Sequence, residues 1–383
     1  MKVLVTTFGG DSGRSGVGQY IIQLLREFPS VAPDAHFDVA LFEDEKDVYI
    51  TDPSRTRPIT CPNRLRSAMR NLAWQQVAMP RLCAREKYDV LFVPAGNRRM
   101  PYWVPCPSVG TFHDLAILHV PHKYDRLHTF YNLHVLPALV RRLAIVVAIS
   151  ESTKRDLMEY VRVPEDRIVV IPEAADTTRY YPREQSACAA RIAQRYGVRP
   201  PYVLFISRIE HPGKNHVRLI RAFHRLKETE KIPHQLVLAG SDWAGAEDVH
   251  REAAASRFSS DIVFTGFVPA EDLPDFYCGA DAFLFPSLFE GFGLPVLEAM
   301  ACGIPVACAN VSSIPEVAGD AGVLFDPLDE NAITQAMRDV LTNQTVRARC
   351  VQRGLERSKA FSWTTTAART MEVLQRAAEE GRK

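Results

Sequence analysis

Short apolar runs recur down the whole chain, each followed by a glycine-rich or polar loop and then by helical spacing. That alternation limits the chain to a few folds. Lys2-Val3-Leu4-Val5-Thr6-Thr7 opens the series, and Val39-Ala40-Leu41-Phe42, Tyr88-Asp89-Val90-Leu91-Phe92-Val93, Ser108-Val109-Gly110-Thr111-Phe112, Ile145-Val146-Val147-Ala148-Ile149-Ser150 and Ile168-Val169-Val170-Ile171 continue it. The pattern restarts at Tyr202-Val203-Leu204-Phe205-Ile206 and runs on through residues 235–241, 262–268 and 282–285. Near-continuous apolar strands that alternate with helices mark parallel sheets covered on both faces, an α/β class. At 383 residues two domains are the default. The polar stretch 177–200 and its prolines, Pro182, Pro200 and Pro201, set the boundary, giving domains 1–182 and 183–359.

The most informative stretch is 287–306. Ala282-Phe283-Leu284-Phe285 reads as a buried strand and Glu290-Gly291-Phe292-Gly293 as its loop. Pro295 suits the first position of a helix that runs through Val296–Ala301 and stops at Gly303, with Glu298 in its first turn. A strand, a glycine loop and a helix N-terminus present N–H groups and a positive dipole end to an anion. Two readings stand on spacing alone. Glu290 and Glu298 flank a diphosphate and take hydroxyls on either side of it, or Glu298 complements the dipole and Glu290 is a solvated loop residue.

Glu-Gly-Phe-Gly-Leu-Pro-x-x-Glu-Ala-x-Ala-x-Gly-x-Pro-Val, residues 290–306, resembles the E-x7-E signature of family-4 retaining glycosyltransferases. That family uses nucleotide-sugar donors and the GT-B fold, two doubly wound Rossmann-like domains facing each other across a cleft. The resemblance implies Glu290 on the sugar hydroxyls and Glu298 on the ribose. It implies Gly291, Phe292, Gly293 and Leu294 around the donor, with N–H groups of that loop on the diphosphate. Arg208 and Lys214 flank the loop after the Tyr202–Ile206 run, and read alone they are surface charge. Their Arg-x5-Lys-Asn spacing resembles the phosphate-binding pair of the family, which neutralises a diphosphate without a metal. By the same resemblance Gly266, Phe267 and Val268 edge the nucleotide base, and the last helix, 360–383, packs back on the first domain. His113 follows a strand end and is followed by Asp114, a candidate orienting partner; Thr-x-His-Asp-Leu resembles the cleft histidine that contacts the transferred sugar. Glu173-Ala174 departs from the Asn-Gly often found there.

Phe8–Gly18 is a second glycine loop, and the nicotinamide fingerprint is a rival reading of it. The order is G-x-x-G-x-G rather than G-x-G-x-x-G, and Asp38 precedes its strand instead of ending it. The family resemblance instead makes Gly16 the close-approach residue to acceptor and donor phosphate.

Composition narrows the partners. A net charge of +1 argues against nucleic acid. There is no D-x-D, so a metal-held diphosphate is not expected, and the nucleotide-sugar donor enters as substrate with no separate cofactor. Eight scattered cysteines without C-x-x-C read as reduced core thiols. Leu143–Ile149 is too short to span a bilayer, which needs ~20 residues, and the N-terminus enters a strand with no signal-peptide pattern, so a cytoplasmic enzyme, at the inner face of the membrane, is expected. Residues 53–87 hold eight cations against one acid, Glu86, with Leu65, Met69, Leu72, Trp74 and Val77 between them. This segment reads either as a solvated basic helix packed by its stem carbons or as a peripheral surface for anionic lipid or a lipid-diphosphate acceptor.

The expected reaction is retaining transfer of a hexose from a nucleotide diphosphate to a glycan or lipid-linked acceptor. The wording around His113 and Glu290 resembles bacterial mannosyltransferases of polysaccharide assembly, which implies mannose from GDP-mannose. A UDP-sugar donor, a GT-B epimerase and a non-catalytic subunit are the alternatives.

Overall fold

The computed structural model describes residues 1–96, 98–120 and 129–381; the last two residues of the expected terminal helix lie outside them. The described chain divides into two compact units. The first holds residues 1–117, 129–173 and 362–381, and the second holds 118–120 and 174–361.

The first unit is built on seven parallel strands: β1 Lys2–Thr6, β2 His36–Phe42, β3 Thr56–Cys61, β4 Val90–Val93, β5 Ser108–Phe112, β6 Ile145–Ala148 and β7 Ile168–Val170, in the order β3-β2-β1-β4-β5-β6-β7. β1, β4 and β6 are apolar because helices cover both sides of the sheet, and they are buried along almost their whole length. The second unit has six: β8 Tyr202–Ile206, β9 Gln235–Ala239, β10 Ile262–Gly266, β11 Ala282–Phe285, β12 Val306–Ala309 and β13 Val323–Phe325, ordered β10-β9-β8-β11-β12-β13 and again parallel. Strand order reverses between β1 and β4 in the first sheet and between β8 and β11 in the second. Ligands of open α/β sheets collect at such points, beyond the carboxyl ends of the strands.

Helix α1, Gly16–Val31, starts three residues before the periodic run at Gln19, because Ser15 caps it: its Oγ accepts from the Gly18 N–H at 3.2 Å. Packing demands glycine at 18, where a Cβ would lie 2.2 Å from the Gly10 carbonyl oxygen, whereas a Cβ at Gly16 meets no atom within 4 Å. Ser150 caps the helix after β6 as its sequence implies, accepting from Thr153 N–H at 3.0 Å.

Two expectations fail here. Asp38 does not precede the second strand but lies inside β2, buried, where it accepts from Arg57 Nη2 at 2.6 Å and from the Tyr88 hydroxyl at 2.5 Å. Residues 53–87 are not one basic helix. They form β3, a short turn at Asn63–Leu65, and helix α2, Ala68–Glu86. β3 escapes a sequence reading because Arg57 and Pro58 interrupt it, and both are tolerated on a sheet edge.

Near the C-terminus, helix α3, Trp363–Glu380, belongs to the first unit and packs against α1; Trp363 meets the ring of buried Tyr20 at 5.8 Å. The eight cysteines are free thiols, seven of them buried. Among the described residues no helix is long and apolar enough to cross a membrane.

Candidate active site

The loops that follow β8 and β11 meet at the switch point of the second sheet. The β8 loop is braced from within. His216, fully buried, directs Nδ1 at the Glu210 carbonyl at 3.2 Å and Nε2 at the Ser207 hydroxyl at 3.3 Å. A carbonyl only accepts, so Nδ1 carries the proton, and burial pushes the imidazole pKa down to about 3, which keeps it neutral. Asn215, in the left-handed region at φ 62°, donates to the carbonyls of Pro286 and Pro327 at 3.1 and 2.8 Å. Leu288 N–H reaches the Gly213 carbonyl at 2.9 Å. These bonds fix the two loops to each other.

Lys214 and Glu290 are brought together across that junction: Lys214 Nζ donates to Glu290 Oε1 at 2.6 Å, and both side chains keep a small solvent-facing surface. Arg208 pairs with Glu210 at 3.1 Å and lies over the Trp243 ring at 4.9 Å. Each cation assigned to phosphate therefore holds a carboxylate of its own protein when no donor is bound.

The glycine loop is pinned by two serines that follow β12. Ser312 Oγ accepts from Glu290 N–H at 3.0 Å, and the Ser313 hydroxyl lies 2.9 Å from the carbonyls of both Glu290 and Phe292. Gly293 caps the helix that follows the loop, Leu294–Ala301. Gly293 has φ 107°, a conformation that favours glycine. The helix begins at Leu294, so Pro295 is its second residue and Glu298 lies beyond the first turn, a correction to the sequence expectation. Glu298 is not free in the loop mouth. Its Oε2 accepts from the Tyr277 hydroxyl at 2.8 Å, and Tyr180 lies beside it. Protein surrounds the carboxyl although the residue keeps some exposure, and that burial pushes its pKa up to about 7 against the lowering effect of the two tyrosines.

At the end of β10, Gly266 has φ 67° and its carbonyl accepts from Gly240 N–H at 3.0 Å. Phe267 is exposed there and Val268 is buried. Gly16 and His113 belong to the first unit. His113, just past β5, is buried and fully engaged: Nε2 lies 2.8 Å from the Pro94 carbonyl and Nδ1 lies 3.0 Å from Glu173 Oε1. Tyr20 packs edge-on against the ring at 4.8 Å. Pro94 can only accept, so Nε2 carries the proton of that bond, and Nδ1 faces the Glu173 carboxyl. The expected partner Asp114 is displaced by Glu173; Asp114 instead accepts from Ala116 N–H at 3.2 Å.

The matches to known proteins follow the same division. Residues 14–179 match the family described as Glycosyltransferase Family 4, and residues 191–357 match Glycosyl transferases group 1. The O-antigen chain mannosyltransferase B of Escherichia coli is 34% identical over 267 residues, which are 69% of this chain and 69% of that protein. The chain belongs to the family-4 glycosyltransferases. The serotype-specific mannosyltransferase WbdA of Escherichia coli is 32% identical over 69% of this chain, a match that spans only 33% of its own length. The fold likeness extends to Anabaena HepE in complex with UDP-glucose, with TM-score 0.76 and 19% identity over 98% of this chain and 99% of that one. This glycosyltransferase, an enzyme of the hexosyltransferase class, therefore has two Rossmann-like α/β units of the GT-B type.

Several residues of the glycosyltransferase site were not read from sequence. Glu210 and Trp243 hold Arg208, Tyr277 and Tyr180 flank Glu298, and Ser312 and Ser313 anchor the glycine loop. Glu173 carried the one available signal, since it stands where the family often has asparagine.

Proposed function

We propose that the chain moves a mannosyl group from GDP-mannose to a hydroxyl of a glycan or lipid-linked acceptor in polysaccharide assembly, with retention of configuration and without a divalent metal. The observation that carries the reading is the Lys214–Glu290 contact of 2.6 Å at the switch point of the second sheet, a cation and a sugar-binding carboxylate held within one hydrogen bond. The relatives named as mannosyltransferases support the choice of sugar.

In this reading the diphosphate lies on Arg208, Lys214 and the N–H groups of Phe292, Gly293 and Leu294, with Gly291 giving the backbone its close approach. Charge grows on the leaving oxygen as the anomeric C–O bond breaks, and donors fixed in advance stabilise that charge. Glu290, released from Lys214, takes sugar hydroxyls, and Glu298 takes the ribose. Gly266, Phe267 and Val268 border the base, and Gly16 gives room to a phosphate. His113 serves the transferred sugar, which requires its Nε2 proton to turn from the Pro94 carbonyl to a sugar hydroxyl. No carboxylate is assigned as nucleophile. The acceptor oxygen forms its bond to the anomeric carbon on the face the diphosphate leaves, and the acceptor proton passes to that diphosphate.

The test is calorimetric binding of GDP-mannose, UDP-glucose and UDP-galactose, followed by product analysis with and without EDTA. GDP-mannose is expected to bind at least about tenfold tighter than either UDP-sugar, a difference of ~1.4 kcal/mol. Preference for a UDP-sugar overturns the donor. Activity lost in EDTA and restored by Mg²⁺ or Mn²⁺ overturns the metal-free mechanism.

A further inference from the structure

Residues 118–120 follow β5 in the chain, yet they belong to the second unit. They sit on both loops of the candidate site. The His119 imidazole stacks on the Phe289 ring, with centroids 4.3 Å apart and planes 11° from parallel. Val120 is buried, and its Cγ1 lies 3.5 Å from where a Cβ on Gly213 would stand. Gly213 directly precedes Lys214, and Phe289 directly precedes Glu290. The two contacts therefore fall one residue short of each member of the 2.6 Å Lys214–Glu290 pair. The Leu288 N–H bond to the Gly213 carbonyl, 2.9 Å long, already holds those two surfaces to each other.

His119 differs from the two histidines of the scaffold. His113 and His216 are buried and turn both ring nitrogens to protein atoms. His119 is exposed, and one face of its ring is spent on buried Phe289. A ring stacked in this way makes its hydrogen bonds in its own plane, past the platform and not into it. Stacking also restricts the side chain in advance, so a bond to a ligand costs less entropy. Phe289 and Glu290 are consecutive, with Cα atoms about 3.8 Å apart. A ligand held by Glu290 is thereby brought next to the imidazole.

We propose that His119 is a sugar-binding residue of this enzyme: one ring nitrogen exchanges a hydrogen bond with a hydroxyl of the transferred hexose while Glu290 takes others. The inference rests on the reading of Glu290 as the carboxylate on the sugar, and it adds to that site a residue from the first half of the chain. A carboxylate only accepts, whereas an imidazole nitrogen donates or accepts according to its proton. The two groups read different hydroxyls, which makes His119 a determinant of sugar choice. An epimer that moves the hydroxyl strands a polar group of the site, and sites built to bond a hydroxyl reject such analogues strongly.

The experiment compares calorimetric affinities for GDP-mannose and for GDP in wild type, His119→Ala and His119→Phe. GDP carries the base, ribose and diphosphate without the hexose, so the ratio of the two affinities isolates the sugar. His119→Ala, at an exposed position, should melt and bind GDP like wild type. It should bind GDP-mannose about tenfold more weakly, the scale of one hydrogen bond. His119→Phe keeps the stack and removes both nitrogens, and should lose the same factor. An unchanged ratio in His119→Ala overturns the proposal. Equal loss of both ligands assigns the imidazole to the nucleotide and overturns it as well. Full GDP-mannose affinity in His119→Phe reduces His119 to packing and overturns the hydrogen bond. A wild type that prefers a UDP-sugar overturns the donor assignment alone. The same comparison is then made with that UDP-sugar and UDP, where a loss confined to the sugar nucleotide upholds the role of His119.

Discussion

Each unit holds a close pair between a basic and an acidic side chain past its strand ends, His113–Glu173 and Lys214–Glu290, and the two differ in what surrounds them. His113 and Glu173 in the first unit are both buried, and the ring spends its other nitrogen on the Pro94 carbonyl. Lys214 and Glu290 in the second unit stay partly open to solvent, at 15% and 16%. A closed pair is part of the scaffold: breaking it strands a buried charge. An open pair can trade its partner for a ligand at small cost, because water screens what is left behind. Basic residues that look equivalent in the sequence thus divide by how easily each gives up its carboxylate: Lys214 can release Glu290 to a ligand, whereas His113 keeps Glu173.

The largest effect should come from breaking the closed pair. Glu173→Ala leaves His113 facing a void, and loss of one partner of a buried pair costs about 3–5 kcal/mol. Chemical denaturation should show the first unit unfolding at lower denaturant; a variant as stable as wild type would mean that the pair is not closed in solution. Next comes the open pair. Lys214→Ala should melt like wild type yet lose ~10²-fold or more in kcat/KM, since a charge-stabilising donor is worth about 2.7–4 kcal/mol. Full activity in that variant removes the phosphate role of Lys214.

A smaller effect separates the two carboxylates of the second unit. In the proposed reading Glu298, behind its tyrosines, takes the ribose, which changes little as the sugar bond breaks, so Glu298→Ala should mainly raise donor KM, by about tenfold. Glu290→Ala should mainly lower kcat, because hydrogen bonds to the sugar strengthen as the ring gains positive charge. Matching kinetic signatures in two well-folded variants would show that the roles are not divided this way.

The last effect is a pH dependence of stability. The Glu298 carboxyl is raised by burial from its ordinary value to about 7, so the folded protein holds the proton more tightly than the unfolded chain. The stabilisation is complete below about pH 4.5 and is lost as pH rises through about 7, at no more than about 1.4 kcal/mol per pH unit. Tm of wild type should therefore fall relative to Glu298→Gln between pH 5 and pH 8. A constant gap between the two would mean that Glu298 titrates normally.

The strands were legible because a strand covered on both sides must be apolar throughout, and β4, β6 and β11 show that run without interruption. The E-x7-E stretch was legible because its glycines and proline leave few backbone routes. What the sequence hid is of two kinds. β3 breaks the apolar rule as an edge strand, and its loss made the basic segment look like one irregular helix. Glu173 lies sixty residues from His113 and reaches it only because β5, β6 and β7 are neighbours in the sheet, an order that local spacing does not encode. Adjacent Asp114 was the nearer candidate in sequence and the wrong one in space. Tyr277 and Glu298 are a third case, joined by the fold across a strand and a loop.

Helix α3 has a consequence for how the protein is made. It completes the first unit, yet the ribosome delivers it after the whole second unit has been synthesised. At about 5–20 residues per second, the nearly two hundred residues between Glu173 and Ser362 take on the order of ten seconds or more to emerge. During that interval α1 lacks the neighbour that covers Tyr20, while the second unit already has all its strands. The nascent first unit thus carries an open apolar flank until α3 emerges, and a chaperone that shields exposed apolar surface would find its target there, in the stretch of translation when the unit has all its strands and not yet α3.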